Sequence, residues 1–381
     1  MNKLKIWVVG RGIPNPQNKM LGSFELEQAQ ALAKSGADVV YLGISVRSAR
    51  NLHNIGFCNL NSFSVPVYSF NFPIGRVLPL TITDKVYDIA FTAISKRIIK
   101  EHGMPDIIHI HYPAQRPYNG LRRMQERGTR IIATEHWSKV QDMTIGKKAR
   151  MNLTAFVSES DAFICVSSAL KKSVIELIGT SRRIEVVPNL VNPFFNTQFQ
   201  KKSKSFNYVV SGRLVEFKQV NKVVQAFIEV FDKNENVSLT IAGGGEQYNT
   251  IKSIIEKESR EKQIHLLGSV SREKMAEIMA KSDALISYSR METFCVPVIE
   301  AWMCGKPVIA SGSIPVMIDN PDKRLGVTVN EYSIETLETA LRTMYNSQDD
   351  YDTKWIADYA LTHFSESAIA HSLLKIYEAV Y

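Results

Sequence analysis

The chain reads as an α/β protein of two doubly wound, Rossmann-like parallel-sheet domains with helices at its C-terminus. Three observations predict this. Short β-branched runs, apolar on both faces as buried parallel strands are, alternate with helical patterns throughout. Two such series occur, separated by a polar, basic, period-free stretch, "NPFFNTQFQKKSKSFN" (192–207). Roughly the last 50 residues, ending in "SESAIAHSLLKIYEAVY", carry a helical pattern. Alternating strand and helix implies right-handed crossovers in a parallel sheet, and ligands of such sheets bind outside the carboxyl ends of the strands.

In the first series strands are expected at "IWVVG" (6–10), "DVVYLG" (38–43), "IIHIHY" (107–112), "RIIATE" (130–135), "AFICVS" (162–167) and "IEVVPN" (184–189). Helical stretches lie between them, such as "SFELEQAQALAKSG" (23–36), with Ser23 the expected N-cap and Gly36 the stop. Residues 54–83 break the rhythm; they are rich in aromatics and proline and read as a long loop plus one strand, "VPVYSF". The sharper reading of that segment is a flap that touches an acceptor or a membrane. In the second series strands are expected at "NYVVSG" (207–212), "SLTIAG" (238–243), "IHLLG" (264–268), "ALISYS" (284–289) and "PVIAS" (307–311). The expected division is an N-terminal domain at 1–190, a linker at 191–205, a C-terminal domain at 206–365 and a helix at 366–381 that crosses back to the first domain. The two domains are expected to face each other across a cleft.

Charge is uneven. Residues 1–190 carry 25 Lys and Arg against 14 Asp and Glu, while residues 191–381 carry 21 against 24. A basic half implies an anionic partner: a phosphate-bearing acceptor or an anionic membrane surface. No nucleic-acid-binding motif accompanies the charge, so nucleic acid is not expected. The four cysteines (Cys58, Cys165, Cys295, Cys304) show no CxxC spacing and suggest neither disulfides nor zinc. The N-terminal apolar run is too short for a signal peptide, and no run reaches the roughly 18 apolar residues of a spanning helix. A cytoplasmic protein, peripheral at the inner face of the membrane, is the expectation.

The turns after the strands carry the chemistry. After "NYVVSG" comes "RLVEFK", with Arg213 and Lys218; after "SLTIAG" comes "GGE", with Gly244. After "ALISYS" comes "RMETFCVPVIEA", which sets Glu292 and Glu300 eight positions apart in an otherwise apolar run. Acids are rarely buried without a partner, so each is expected to hold something. Pro297 suits the first turn of a helix that Gly305 closes before Pro307. Backbone N–H groups at that helix start, from Phe294 through Cys295 to Val296, make an anion site without a charged side chain. Two cations and a helix N-terminus on the ends of one sheet describe a diphosphate pocket. Glu300, one turn into the helix, suits the paired hydroxyls of a ribose. Glu292 can accept sugar hydroxyls and stabilise positive charge developing on the ring.

"E-T-F-x-x-x-x-x-E-A" followed by "C-G-K-P-V-I-A" resembles the E-x7-E signature of retaining glycosyltransferases of the GT-B fold, in particular family 4. "SGRLVEFK", "PDIIHIHY", "ATEHW", "CVSSALKKSV" and "VVPNLVN" resemble that family's other landmarks, in order. The resemblance implies that Arg213 and Lys218 grip the diphosphate, that Glu292 meets the donor sugar and that Glu300 meets the ribose. It implies that His136 lies near the transferred sugar, that Gly22 lets backbone approach the phosphates and that Val270 lies by the base. The catalytic set is then Glu292, His136, Lys218 and Arg213. The chain departs from the family where Gln219 and Cys295 replace usual glycines, placing a side chain where close approach is wanted.

The expected activity is retaining transfer of a sugar from a nucleotide-diphosphate sugar, UDP by default, to a glycan or lipid-linked acceptor in surface polysaccharide or glycoconjugate synthesis. The resemblance implies attack on the face from which the diphosphate leaves, so that no carboxylate base and no metal is needed. His109 and His111 share a strand face but lack a third ligand. "DYD" (350–352) reads as a helix cap rather than a metal motif. A GT-B-fold nucleotide-sugar isomerase and a non-catalytic carbohydrate- or nucleotide-binding module are the alternatives. A nicotinamide oxidoreductase is disfavoured, because "GRGIPN" (10–15) has Asn where a third glycine belongs.

Overall fold

The computed structural model describes residues 3–15, 20–46, 55–60, 63–73, 79–196, 205–232 and 234–381. The chain divides into two compact units: Met1–Leu190 with Glu366–Tyr381, and Val191–Ser365.

Among the described residues, the first unit is built on eight strands. They are β1 (Lys5–Gly10), β2 (Asp38–Ser45), β3 (Gly56–Leu60), β4 (Val67–Asn71), β5 (Ile107–His111), β6 (Arg130–Glu135), β7 (Ala162–Cys165) and β8 (Glu185–Val186). They lie in the order β3-β4-β2-β1-β5-β6-β7-β8. All pairs are parallel except β3 with β4, where Phe57 opposes Phe70 across an antiparallel ladder. Residues 54–83 therefore hold two strands rather than the one expected, and then the start of the helix Leu80–His102. β3 escapes a search for apolar runs because it is an edge strand whose alternate residues are exposed. Parts of that segment, and most of the expected linker, lie outside the described residues.

The central strands are buried on both faces, as their composition requires. Ile6, Val8, Tyr41, Ile107, Ile132 and Ile164 form one core with Leu26 and Leu32 of the helix Ser23–Lys34. Ile369, Leu373 and Tyr377 of the helix Glu366–Val380 join the same core. Tyr377 also makes a polar tie: its hydroxyl lies 2.6 Å from His109 Nδ1, and His109 Nε2 lies 2.6 Å from Thr134 Oγ1. One imidazole thus joins β5, β6 and the last helix.

Among the described residues, the second unit has six strands: β9 (Phe206–Ser211), β10 (Val237–Ala242), β11 (Ile264–Gly268), β12 (Ala284–Ser287), β13 (Val308–Ser311) and β14 (Gly326–Val329). All are parallel, in the order β11-β10-β9-β12-β13-β14. β14 was not anticipated; it is short, lies at the edge and is only partly buried. The helix Val220–Phe231 shows why helices cover this sheet. Val220, Val223, Val224, Phe227, Ile228 and Phe231 recur at helical spacing and are all buried. Val191–Asn196, expected in the linker, packs with this unit: Val191 N donates to Phe364 O at 2.8 Å and Phe195 is fully buried. The helix Thr353–Phe364 is capped by Asp352, which accepts from Trp355 N at 3.0 Å.

Both sheets reverse their winding at the first strand of each series. β1 lies between β2 and β5, and β9 lies between β10 and β12. The crevice outside the carboxyl end of such a strand is where doubly wound folds bind ligands. No helix among the described residues is long and apolar enough to cross a membrane.

Burial, with His136 nearby, pushes the His109 imidazole down to about 3. An unfolded imidazole titrates near ~6.5. The unfolded state then takes the proton first, so stability falls as the pH drops from about 6.5 toward 3. This one group should cost about 2 kcal/mol at about pH 5. A His109→Gln variant should lose less Tm than the unsubstituted protein between about pH 7 and pH 5 in scanning calorimetry. Parallel Tm profiles would show that the imidazole is not held neutral in the fold.

Candidate functional site

The C-terminal unit brings its site together at the β9/β12 switch. β9 ends at Ser211, and the chain turns through Gly212 and Arg213 into a short 3-10 turn, Glu216–Lys218. The neighbouring strand β12 ends at Ser287 and leads to Ser289 and Glu292. Lys218 Nζ contacts Glu292 Oε1, and the same oxygen accepts from Ser289 Oγ at 2.9 Å. Burial alone pulls the Lys218 ammonium down, but Glu292 outweighs it and holds the group above the ordinary lysine value. Arg213 is exposed beside them, and a small cavity is lined by Gly212, Arg213, Lys218, Ser287 and Ser289.

The loop carrying Glu292 is fastened in place. Ser289 O accepts from Ser313 Oγ at 3.1 Å, from Tyr332 OH at 2.9 Å and from Ser311 Oγ. Arg290 N donates to Phe217 O at 2.8 Å, which ties the β12 loop to the residue before Lys218. The helix Val296–Met303 follows, with Pro297 in its first turn and Glu300 on its buried side. Arg272 Nη2 lies 3.7 Å from Glu300 Oε1. Arg272 opens the helix Arg272–Lys281, two residues after the half-buried Val270. Arg272 was not singled out in the sequence; its only signal was a cation just after the expected base-binding position.

Phe294 is buried, so only its backbone is available to a ligand. Cys295 sits before the helix with φ 82° and Gln219 before its helix with φ 54°. Both lie in the left-handed region that glycine favours. That corrects the expectation about these departures from the family. The glycine positions are set by backbone conformation, and the side chains turn inward. Cys295 is buried with its Sγ 3.3 Å from Ser287 Oγ, and burial pushes its thiol up to about 12. Gly244 accepts from Leu214 N at 3.0 Å through its carbonyl, so it binds the β9 and β10 turns to each other.

The N-terminal unit gathers a second constellation at the β1/β5 switch. Arg11, just after β1, bonds Glu25 Oε1 through Nε at 2.9 Å, and its Cζ lies 3.7 Å from the centroid of the Tyr112 ring. Burial raises the Glu25 carboxyl, but Arg11 beside it overrides this and holds it below the usual range. Tyr112 stacks on His136 with centroids 4.9 Å apart, and His136 Nε2 lies 2.9 Å from His111 Nδ1. Burial pushes His136 down to about 4, so it is a neutral imidazole that also bonds Asn189. Glu135, fully buried, accepts from the N–H groups of Ala114, His136 and Trp137, while burial pushes its carboxyl up to about 7. Arg11, Glu25 and Tyr112 were missed in the sequence, where "GRG" after the first strand and an acid on the buried helix face were the signals.

Gly22 occupies the cap position expected for Ser23, with φ 69°. A Cβ there would lie 2.1 Å from Gly12 O, so backbone approach to Gly12 already demands the glycine. His109 and His111 stack with centroids 4.5 Å apart. Among the described residues no group of three or more His, Cys, Asp or Glu is placed to hold a metal ion. The arginines around the helix Asn119–Gln125 do not form one free face. Arg122 pairs with Glu159, Arg130 pairs with Asp161, and Arg116 is buried.

Gln219 offers a test of the backbone account. Its side chain is buried, Nε2 donates to Glu216 O at 2.9 Å, and no partner among the described residues reaches Oε1. Gln219→Gly removes the left-handed strain and the unmatched acceptor together. It should stabilise the protein by about 1 kcal/mol, a rise of ~2–4 °C in Tm. A lowered Tm would mean that the Gln219 hydrogen bond outweighs the strain.

Comparison with known proteins places this geometry. The model of the glycosyl transferases group 1 family matches residues 192–358, and that of glycosyltransferase family 4 matches residues 24–194. The chain is 25% identical over 315 residues to N-acetyl-alpha-D-glucosaminyl L-malate synthase of Bacillus anthracis, covering 78% of this chain and 77% of that one. It is 25% identical over 289 residues to the phosphatidylinositol N-acetylglucosaminyltransferase GPI3 subunit of Saccharomyces cerevisiae, covering 71% of this chain and 62% of that one. Its fold is similar to that of Anabaena HepE, solved in complex with UDP, with a TM-score of 0.72, 14% identity and coverage of 99% and 100%. Adjoining models that span both units, on two parallel sheets of the GT-B kind, make the conclusion plain: the chain belongs to the family 4 glycosyltransferases, with a group 1 C-terminal half.

Proposed function

We propose that the protein is a retaining, metal-independent glycosyltransferase that takes a sugar from a UDP-sugar. The observation that carries this reading is the contact of Lys218 with Glu292 at the β9/β12 switch, with Arg213 alongside. In this reading Lys218 and Arg213 hold the diphosphate, with backbone N–H groups of Phe294, Cys295 and Val296. Glu292 meets the sugar. Glu300 meets the ribose, with Val270 by the base and Gly244 on the rim. UDP is preferred because HepE is solved with it. N-acetylglucosamine is the first sugar to test, since two relatives are named for its transfer.

The acceptor is a hydroxyl of a glycan or of a lipid-linked glycan, taken by the N-terminal unit. The acceptor oxygen forms its bond to the anomeric carbon on the face from which the diphosphate leaves. The carbon–phosphate-oxygen bond breaks with its electron pair going to the diphosphate, and the acceptor proton passes to that leaving oxygen. Lys218 and Arg213 stabilise the charge that develops there. His136, neutral at physiological pH, suits hydrogen bonding to the sugar better than charge stabilisation. The basic N-terminal half would draw the protein to an anionic membrane face from the cytoplasm, since pairing of Arg122 and Arg130 leaves its net charge unchanged.

A thermal-shift panel of UDP, GDP and ADP tests the donor. The right nucleotide at about 100 times its dissociation constant should stabilise the protein by about 2.7 kcal/mol, and no shift with any of them would sink the reading. EDTA should leave turnover intact; strict dependence on Mg²⁺ or Mn²⁺ would refute metal independence. Lys218→Ala should lower kcat by about 10²–10³, because it removes charge stabilisation in the transition state. Glu300→Gln should raise the donor KM more than it lowers kcat. The opposite pattern in steady-state kinetics would exchange the roles of these two residues.

A further inference from the structure

We propose that the N-terminal unit holds a subsite for an anionic group of the acceptor, a carboxylate or a phosphate, gripped by Arg116. The proposal rests on reading this unit as the acceptor side of a glycosyltransferase. A cavity of about 270 Å³ opens at the carboxyl ends of β1, β2 and β5, lined among others by Arg11, Ser45, Thr83, Asp84, Tyr87 and Arg116. Its size suits one compact headgroup rather than an extended glycan.

The charges around this cavity do not balance. Arg11 is matched by Glu25 at 2.9 Å, and Asp84 by Lys148 at 3.4 Å. Arg116 is only 4% exposed, yet among the described residues no carboxylate lies within ion-pair distance of it. Its Nε donates to His111 O at 2.8 Å and its Nη1 to Tyr87 OH at 2.7 Å. Both partners are neutral, so they orient the guanidinium without neutralising it. A buried cation is costly unless an anion pairs with it. A guanidinium has five N–H donors in a planar fork, and that fork matches the two oxygens of a carboxylate or phosphate.

A bound anion would complete the ion pairing that the guanidinium leaves open among the described residues. Acceptors carrying such a group would be selected over neutral glycans.

Inorganic phosphate and acetate are the probes, with glycerol as the neutral control, titrated calorimetrically into the full chain. Measurements in a Lys218→Ala background weaken phosphate binding at the nucleotide side. Phosphate or acetate should bind with a dissociation constant of about 1–10 mM in that background, with glycerol silent. Arg116→Lys should weaken binding about tenfold, and Arg116→Gln should abolish it. Far-UV circular dichroism and a cooperative thermal melt verify folding; if Arg116→Gln does not fold, Arg116→Lys decides. An unchanged dissociation constant in the Lys variant, or no binding of either anion, overturns the proposal. A preference for phosphate points to a phosphorylated acceptor and one for acetate to a hydroxy acid. Failure of every nucleotide to bind would overturn the functional reading while leaving an Arg116-dependent anion site in place.

Discussion

A lysine withdrawn from water needs a carboxylate, and Lys218 finds Glu292 across two adjacent strands. The rest of the C-terminal site depends on that pairing. Withdrawing both charges from water costs several kcal/mol per ion unless geometry and further hydrogen bonds compensate. The structure supplies them: Ser289 shares Glu292 Oε1, while Ser311, Ser313 and Tyr332 hold the Ser289 carbonyl. A rigid loop of this kind keeps a reactive group in place, because its supports are themselves packed.

The N-terminal unit solves a similar problem with other residues. Its switch point carries Arg11 and Glu25 as an ion pair, but its imidazoles are neutral. Neutral rings stack and bond each other without a charge to compensate, as His109, His111 and His136 do. Tyr377 extends this polar core to the last helix, so residues far apart in sequence share one hydrogen-bonded interior. Such networks are stable only when their members find partners.

Backbone conformation explains residues whose chemistry alone is puzzling. Gly22, Gln219 and Cys295 all sit at the start of a helix in the left-handed region. Gln219 follows the short 3-10 turn Glu216–Lys218, and Cys295 ends the loop between β12 and the helix Val296–Met303. Gln219 and Cys295 meet that demand at a cost in strain, and their side chains are directed away from the first helical amides into buried contacts.

Much of the architecture was legible in the chain itself. Buried parallel strands must be apolar on both faces, so β1, β5, β6, β9 and β12 announce themselves. Turns with paired cations and a helix opening with Pro297 mark the strand ends that carry Arg213, Lys218, Glu292 and Glu300. Edge strands do not announce themselves, since solvent on one face permits polar residues, and β3 and β14 were hidden for that reason. Which charges pair was also beyond the sequence. Lys218 with Glu292, Arg272 with Glu300 and Arg11 with Glu25 are 74, 28 and 14 residues apart. Strand order brings these partners together, and strand order is a property of how the helices pack, not of any local pattern. The same holds for Arg116. The nearest charged residues along the chain are other arginines, but tertiary packing turns Arg122 and Arg130 to carboxylates and draws Arg116 inside. Local sequence determines which residues can be buried; only the assembled sheet decides which of them are left without a counter-charge.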